Sequence, residues 1–456
     1  MISRTVLEWR KIRYGDGPEE IPEWAADRIA AVARANPLGG EEGARILQHG
    51  RNALRAQQVV GVIAAQDCTL EILPKIDGLG DGDSAASQAQ IRRNLVHMLA
   101  VALDLDIAAG QMARLGWQDE NLLEVLIRLF CDRLFEAVHL GLPRRYVSME
   151  EDIPTLRGRL DVIRQFSTLA ASPDRLACRF DELSSDIPLN QIMRAAVARL
   201  LQLSRSTHNQ RRLRELSFAF ADVSDVPVQS LRWNSVILDR TNARWKDLLE
   251  LARLLLGERF QTTTSGRGQG FSLLFEMNTL FEEFVGRTLR RALVGTGLQV
   301  DLQGGRLHCL AELGEDHVPT GRRRFMTKPD IIIRRGPERL MIIDTKWKRL
   351  APSIDDPKQG VSQSDVYQMM AYGRIYQCPD LMLLYPHHDD LKSLAGFQSQ
   401  HSVVGSEDTL IAATLDLSDL KTAALQAGNL IRPQNQFEAG ATPGLIFQTH
   451  GSQLPG

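Results

Sequence analysis

The feature that most constrains the fold is a pair of strongly apolar runs within residues 328–348, KPDIIIRRGPERLMIIDTKWK. The runs flank the turn-forming residues 336–338, so the pattern predicts an antiparallel hairpin. If residues 336–338 form the loop, Asp330 lies directly opposite Asp344, and directly opposed side chains share one face of a sheet. A two-residue loop would instead shift the register by one position and place the aspartates on opposite faces.

The spacing around Asp344 indicates a site for metal-dependent phosphate chemistry. Lys346 stands two residues beyond Asp344 and therefore points to the same face. Two close carboxylates repel each other, and Mg²⁺, which favours carboxylates, waters and phosphates, removes that conflict. A metal-bound water can attack phosphorus, so we expect Lys346 to orient or activate that water, or to neutralise the phosphate.

The alternative is a surface hairpin whose aspartate and lysine form an exposed ion pair, which contributes about 0–1 kcal/mol. The strands argue against it, because Ile332 and Ile342 fall on one face while Ile331 and Ile343 fall on the other. Strands that are apolar on both faces are central in a sheet, and charges there are costly unless they pair or function. Trp347 points away from the aspartates and is expected in the core.

Length and composition limit the class of protein. The chain has 456 residues, which suggests about three domains. With 43% hydrophobic and 24% charged residues it is an ordinary globular chain, not a disordered, collagen-like or coiled-coil one. The formal net charge of −2 excludes a uniformly basic DNA-coating protein, so a nucleic-acid site would be a local patch.

Shifts in pattern predict the organisation of the chain. The expected parts are a small β-containing N-terminal domain at 1–76, a linker at 77–90, a mainly helical middle domain at 91–260, an α/β domain at 261–432 and a loosely ordered tail at 433–456.

Hydrophobic periodicity predicts elements within these parts. A hairpin is expected within 57–76, an amphipathic helix near 22–35, and four or more helices within 91–260. For the α/β domain we expect helices near 272–295 and 364–377 and strands near 328–335, 339–347, 380–386 and 409–416, which together form a mixed sheet with helices on its faces.

Cysteine usage and hydropathy indicate a cytoplasmic protein. The five cysteines are far apart and none has CxxC spacing, so neither a disulfide framework nor a zinc site is expected. The start of the chain has no apolar signal-peptide core, and no run reaches the roughly 18 apolar residues of a membrane span. No GxxxxGK[ST] motif occurs, so we expect no nucleotide bound through a P-loop.

The pattern Pro329-Asp330 followed by Asp344-Thr345-Lys346 resembles the PD-(D/E)xK nuclease motif. Together with five neighbouring runs it resembles the McrC family, the nuclease subunit of McrBC-type restriction systems, over about residues 1–430. Those runs are LEILPKI at 70–76, LRGRLD at 156–161, ELSSDIPLNQIM at 182–193, LLFEMNTLFEEFV at 273–285 and SDVYQMMAYGRIY at 364–376.

The resemblance implies a Mg²⁺-dependent endonuclease that cuts double-stranded DNA, with a restriction-endonuclease-like fold at 261–432. It implies a partner, an McrB-like AAA+ GTPase hexamer that recognises modified cytosine and translocates DNA, and whose GTPase this subunit stimulates. Residues 1–76 would bind that partner, and whether two nuclease subunits pair to cut both strands is left open by the sequence.

The resemblance also implies roles for individual residues. Asp330 and Asp344 would hold the metal, Lys346 would assist catalysis, and the main-chain carbonyl of Thr345 would complete the metal shell. Many nucleases of this fold add a helical glutamate. Glu282 is favoured over its neighbours Glu276 and Glu283, although a solvated helix face explains any of the three equally well.

Ser364, Gln368 and Tyr372 share one stripe of a predicted helix. Gln368 is expected to reach the scissile phosphate or its water, as in QxxxY-type nucleases. The alternative is an ordinary polar stripe on a helix that Ser364 caps.

Local positive charge supports contact with DNA phosphates. Residues 321–349 contain ten lysines and arginines against three acidic residues. The candidate contacts are Arg322, Arg323, Arg324 and Lys348, and a solvated loop is the alternative for the three arginines. The run at 387–390, HHDD, has the composition of a metal cluster, but a polar turn after an apolar strand is favoured.

Two other functions are compatible with the sequence. The chain could be a non-catalytic assembly subunit that regulates the partner's GTPase, but the intact Asp330, Asp344 and Lys346 argue against this. It could instead be a stand-alone PD-(D/E)xK repair nuclease, which the N-terminal resemblance argues against.

Overall fold

We describe the chain from a computed structural model. The structure describes residues 2–40, 43–79, 82, 84–105, 120–172, 174–257, 270–315, 317–351 and 361–431. The predicted tail at 433–456 lies outside these ranges, as do residues 261–269 at the start of the predicted α/β domain.

Strands and helices alternate irregularly along the described chain. The strands are β1 (Ile2–Leu7), β2 (Lys11–Arg13), β3 (Leu47–His49), β4 (Ala53–Ala56), β5 (Val59–Ala65), β6 (Cys68–Leu73), β7 (Arg145–Ile153), β8 (Arg159–Leu160), β9 (Leu176–Ser184), β10 (Gly270–Glu276), β11 (Gln299–Leu302), β12 (His308–Leu313), β13 (Pro319–Met326), β14 (Ile331–Arg335), β15 (Glu338–Thr345), β16 (Asp380–Pro386), β17 (Gly396–Ser402) and β18 (Thr409–Leu415). The α-helices are α1 (Glu23–Ala35), α2 (Ala85–Ala102), α3 (Leu122–His139), α4 (Val162–Ser167), α5 (Pro188–Leu203), α6 (Thr207–Ala219), α7 (Lys246–Leu256), α8 (Met277–Ala292), α9 (Gln363–Tyr376) and α10 (Ala423–Ile431).

The N-terminal part contains a four-stranded sheet in the order β1-β6-β5-β10. Strands β5 and β6 form an antiparallel hairpin, and α1 covers one face, so the predicted hairpin and the predicted helix after Pro22 are both confirmed. Gly61 in β5 is required at this place, because an added Cβ would lie 1.9 Å from the carbonyl oxygen of Leu273 in β10.

Strand β10 corrects the predicted helix at 272–295. Residues 272–276 pair with β5 as a strand, and the helix begins only at Met277. The reason is alternation: Leu273 packs into the large central core while Leu274 packs into the N-terminal core. A segment assigned by sequence to the α/β domain therefore completes the N-terminal sheet.

The middle region is mainly helical, as predicted, and includes α2, α3, α5, α6 and α7. Two details differ. Helix α2 begins at Ala85, inside the predicted linker, because the Ser84 side chain accepts a hydrogen bond from the main-chain nitrogen of Ser87 and caps it. A three-stranded sheet in the order β7-β9-β8 was not predicted.

The C-terminal part is a mixed sheet in the order β11-β14-β15-β16-β18-β17, in which β15, β16 and β18 run parallel. Helix α8 packs on one face, where Ile331 and Ile343 join its core, and α9 packs on the other face with Ile332 and Ile342. The predicted mixed α/β architecture and the predicted burial of both faces are confirmed.

The hairpin between β14 and β15 has the predicted register next to the aspartates, but its loop differs from the predicted one. Its loop is two residues, Gly336 and Pro337, so the predicted three-residue loop is wrong, and Arg335 pairs with Glu338. A β-bulge then adds one residue on β15, and Ile331 pairs with Ile343. The bulge cancels the one-residue slip, so Asp330 and Asp344 continue the ladder on the same face.

Cysteine pairing and membrane spans can be checked over the described residues. All five cysteines are free thiols, and only Cys309 is exposed. No helix in the described ranges has the length and apolar character that crossing a bilayer requires.

Candidate active site

Two aspartates meet where β14 begins and β15 ends. Asp344 is buried, with 1% of its surface exposed. Asp330 lies just before β14, and its Oδ2 accepts hydrogen bonds from the main-chain nitrogen of Thr345 at 2.7 Å and from its hydroxyl at 2.9 Å. Because β15 is a central strand, both carboxyl groups sit at the edge of a rigid core.

Lys346 continues the chain beyond β15 and pairs with Asp344. Its Nζ lies 2.6 Å from Asp344 Oδ2 and 3.7 Å from Asp365 Oδ1. Its main-chain nitrogen donates to the carbonyl of Leu384 at 2.9 Å, which ties this residue to the neighbouring strand β16. The structure therefore brings the three central residues of the predicted motif together.

Helix α9 brings Gln368 into the same cluster. Its amide nitrogen lies 3.3 Å from Asp344 Oδ1 and 2.8 Å from the Tyr372 hydroxyl, while its amide oxygen accepts from Lys346 Nζ at 3.3 Å. Gln368 thus bridges the carboxylate and the ammonium. The helix is capped by Ser362, so the alternative in which Ser364 caps it is wrong in that respect.

Glu282 on α8 approaches the aspartates from the other helix layer. Its side chain hydrogen-bonds to Gln303, whose main-chain nitrogen donates to the Asp330 carbonyl at 2.7 Å. Glu276 and Glu283 instead line a cavity of about 190 Å³ beside α2. Of the three helical glutamates, the structure therefore places Glu282 beside the aspartates.

The carboxyl groups of this cluster are difficult to ionise together. Burial, with the charge of Glu282, raises the pKa of Asp330 to about 6. Burial and the facing charge of Asp330 raise the pKa of Asp344 to about 6, and burial also raises the pKa of Glu282.

Lys346 remains an ammonium despite its partial burial. Burial acts to lower its pKa, but the bond to Asp344 and the charges of Asp344 and Asp365 outweigh it, so the pKa is raised. The cluster therefore combines an ammonium donor with carboxyl groups that lack full charge compensation.

The donor set fits a hard divalent cation. Within the described ranges no group of three or more His, Cys, Asp or Glu is arranged to hold a metal. Mg²⁺ does not need such a cage, since it takes one or two carboxylates and completes its shell with waters and substrate phosphates. Asp330 and Asp344, beside the main chain of Thr345, offer that minimal set.

The structure also places the remaining candidate residues. Arg322, Arg323 and Arg324 stand on β13, an exposed strand rather than the loop considered as the alternative. Lys348 pairs with Asp365. The HHDD run follows β16, where the buried His388 bonds to the carbonyl of Leu350 at 2.7 Å.

Sequence reasoning missed two contributors. Asp365, in the first turn of α9, pairs with both Lys346 and Lys348. Glu8 on the N-terminal part accepts a hydrogen bond from the indole nitrogen of Trp347 at 2.9 Å, next to Lys346. An acidic residue after a serine cap was a weak signal for Asp365, but no local signal marked Glu8.

The fold resembles solved structures from Thermococcus gammatolerans. One is the refined half-complex from a tetradecameric assembly of McrB AAA+ hexamers with bound McrC, with a TM-score of 0.67, 21% identity, and coverage of 94% of this chain and 99% of that chain. Another is the cryo-EM structure of the McrBC complex, with a TM-score of 0.50, 24% identity, and coverage of 64% and 88%. At these identities the likeness shows the fold alone. None of the curated protein sequences matches this chain.

A family model identifies the chain at the level of sequence. The model is described as McrBC 5-methylcytosine restriction system component, and it matches residues 54–386. That range is most of the chain and contains Asp330, Asp344, Lys346 and Gln368. The chain therefore belongs to the family of McrBC 5-methylcytosine restriction system components.

Proposed function

We propose that this chain is the Mg²⁺-dependent DNA endonuclease subunit of a McrBC-type, GTP-dependent restriction complex that cuts modified or foreign DNA. The observation that carries the proposal is the meeting of Asp330 and Asp344 at the edge of a central sheet, with Lys346 Nζ 2.6 Å from Asp344. Buried carboxyl groups with raised pKa values beside an ammonium are typical of a catalytic site.

Each residue of the cluster has a separate role in the proposed phosphodiester hydrolysis. Asp330 and Asp344 would hold Mg²⁺, with the Thr345 carbonyl as a further oxygen ligand. When bound, the metal supplies an activated water and stabilises charge on the phosphate oxygens. The raised pKa of Lys346 favours neutralising or orienting the phosphate over removing a proton. Gln368 would orient Lys346 and the attacking water.

The architecture supports a restriction-endonuclease-like domain. The acidic cluster lies at the ends of β14 and β15, and helices α8 and α9 cover opposite faces of the sheet. Both helices contribute to the cluster, through Glu282 and Gln368. This arrangement explains why the strand ends next to the aspartates, Ile331–Ile333 and Ile342–Thr345, are buried.

An exposed ribbon next to the site suits a DNA backbone. Strands β12 and β13 pair with each other, and every residue of β13 is exposed. Arg322, Arg323 and Arg324 lie on β13, which ends four residues before Asp330. Its base is anchored because Thr327 hydrogen-bonds to the Tyr376 hydroxyl on α9 at 2.9 Å. Double-stranded DNA bound at the aspartates would contact these arginines.

The partner we propose is an McrB-like AAA+ GTPase hexamer. This chain resembles a chain from a solved assembly of McrB AAA+ hexamers with bound McrC. That resemblance covers 94% of this chain, so the region beyond the nuclease site has the same fold as well. In the complex, this subunit would stimulate the GTPase and would act on DNA that the hexamer delivers.

The direct test is Asp344→Asn, assayed with the purified AAA+ partner, GTP, Mg²⁺ and a methylcytosine-containing duplex. We expect cleavage to fall at least about a hundredfold, because one metal ligand loses its charge. Partner association, measured by size-exclusion chromatography, should be unchanged.

Asp222→Asn is the matched control, since Asp222 is an exposed aspartate outside the cluster. Cleavage by Asp344→Asn at the rate of the control would remove the catalytic assignment and favour a non-catalytic assembly subunit. Cleavage by the unmutated chain without partner or GTP would favour a stand-alone nuclease.

A further inference from the structure

A basic groove lies on the N-terminal part of the chain, between α1 and the small sheet β2-β4-β3. We define it by its cations Lys11, Arg34, Arg51 and Arg55, and its volume is about 920 Å³. Among the described residues that line it, none carries a carboxylate. It shares no lining residue with the aspartate cluster, so it is a separate feature of the molecule.

The sheet under the groove places like charges directly opposite each other. Lys11 on β2 pairs with Arg55 on β4, and Arg55 pairs on its other side with Gln48 on β3. Directly opposed like charges destabilise a sheet. Arg55 is fixed in place, because its Nε donates to the Trp9 carbonyl at 3.3 Å. An anion bound in the groove would remove the repulsion between the two cations.

The four cations have no compensating partner in the described part of the chain. No carboxylate described there lies within ion-pair distance of Lys11, Arg34, Arg51 or Arg55, which contrasts with the many ion-paired arginines elsewhere, such as Arg92 with Glu71 at 2.7 Å. Among the described acids, Asp27 contacts the lining through His49, at 3.0 Å. Residues 41 and 42, both glutamates, precede the lining residue Ala44 and lie outside the described ranges.

The donors in the groove match phosphate groups. Guanidinium and ammonium groups, with the amides of Gln48 and Asn52, are the side chains that most often contact phosphate oxygens. Protein–protein interfaces are enriched in aromatic residues, methionine and arginine at their cores, whereas the described lining of this groove contains no Phe, Tyr, Trp or Met. We propose that the basic groove binds phosphate groups, either those of a DNA backbone or those of a free polyphosphate. This proposal goes beyond the nuclease function and does not depend on it.

The test compares Lys11→Gln/Arg55→Gln with a control double variant, Arg214→Gln/Arg240→Gln, which removes two exposed arginines from the middle region. Full-length chains are measured without Mg²⁺, so that no cleavage occurs. Binding of a fluorescein-labelled duplex is followed by anisotropy over a salt series, and binding of inorganic tripolyphosphate by calorimetry.

If the groove holds a DNA backbone, the groove variant should bind the duplex about tenfold more weakly than the control, and its salt slope should fall by about two, since each cation removed releases one fewer counterion. If it holds a free polyphosphate, tripolyphosphate binding should weaken by a similar factor while duplex binding matches the control. Either result supports the proposal. Equal binding of both probes by the two variants overturns it, as does loss of AAA+ partner association with phosphate binding intact. Asp344→Asn should bind both probes like the unmutated chain, so failure here is separate from failure of the nuclease proposal.

Discussion

At the scale of single residues, the cluster depends on short polar contacts that hold charged groups in a buried place. Gln368 shows this well, because it touches Asp344, Lys346 and Tyr372 at once. Gln368→Ala should therefore lower kcat for DNA cleavage roughly tenfold, with little change in KM, since it removes an orienting contact and no metal ligand.

Ser364→Ala tests the same stripe of α9 one turn earlier, where the side chain is exposed. We expect it to cleave DNA like the unmutated chain. Equal losses in both variants would indicate that the helix, rather than the Gln368 amide, was disturbed.

Glu8 is a second residue whose surroundings predict a measurable effect, in this case on how stability depends on pH. It is 2% exposed, and burial raises its pKa to about 7. Between its ordinary pKa near 4.5 and 7 the unfolded state releases the proton while the folded state keeps it, so stability should fall as pH rises through this range. Glu8→Gln should make this fall less steep in a melting-temperature profile between pH 4.5 and 8. The fall that remains is expected from Asp330 and Asp344, whose pKa values are also raised.

Glu19→Gln, at an exposed glutamate, is the control and should leave the profile unchanged. A Glu8→Gln profile that falls as steeply as that of the unmutated chain over the same interval would mean that Glu8 does not contribute to the loss.

At the scale of elements, the ribbon β12–β13 is a separate two-stranded sheet whose second strand is exposed throughout. An isolated two-stranded ribbon is marginally stable in water, yet this one carries three consecutive arginines shortly before Asp330 in the chain. The triple change Arg322→Gln/Arg323→Gln/Arg324→Gln should weaken duplex binding by at least tenfold and reduce the salt slope by up to about three.

The control is the triple variant Arg214→Gln/Arg240→Gln/Arg244→Gln, which changes three exposed arginines of the middle region. Anisotropy under Mg²⁺-free conditions measures both. If the two triple variants bind the duplex equally, the ribbon is not a DNA contact.

At the scale of the whole molecule, the N-terminal part and the C-terminal sheet are not independent. Strand β10 pairs with β5, Trp347 donates to Glu8 at 2.9 Å, and Gln58 donates to the Trp347 carbonyl at 3.1 Å. A fragment of residues 270–431 would leave β10 unpaired and Trp347 without either partner. We expect this fragment to lack a cooperative thermal transition by circular dichroism.

The full chain, melted under the same conditions, provides the reference. A fragment that melts cooperatively would show that the two parts fold separately. For this reason, removal of residues 1–76 is a poor test of partner binding, and point changes on the N-terminal surface are preferable.

The sequence by itself determined the local elements of this protein and most of the residues in the cluster. The alternation in residues 57–76 predicted a hairpin, and the apolar runs around residues 336–338 predicted buried strands with Trp347 in the core. These predictions succeeded because side-chain periodicity is a local property of the chain. The motif residues Asp330, Asp344 and Lys346 were grouped for the same reason, since they lie within one hairpin.

Only the tertiary structure decided the features that depend on distant pairing. A bulge on β15 cancels the slip of a two-residue loop, and neither device has a clear local signal. Strand β10 follows a helix-like pattern in the sequence but becomes a strand because β5 offers an unpaired edge. Glu8 reaches Trp347 across more than three hundred positions of the chain. Such contacts are stabilised by burial and hydrogen bonds that exist only once the parts have packed, so no window of the sequence could contain them.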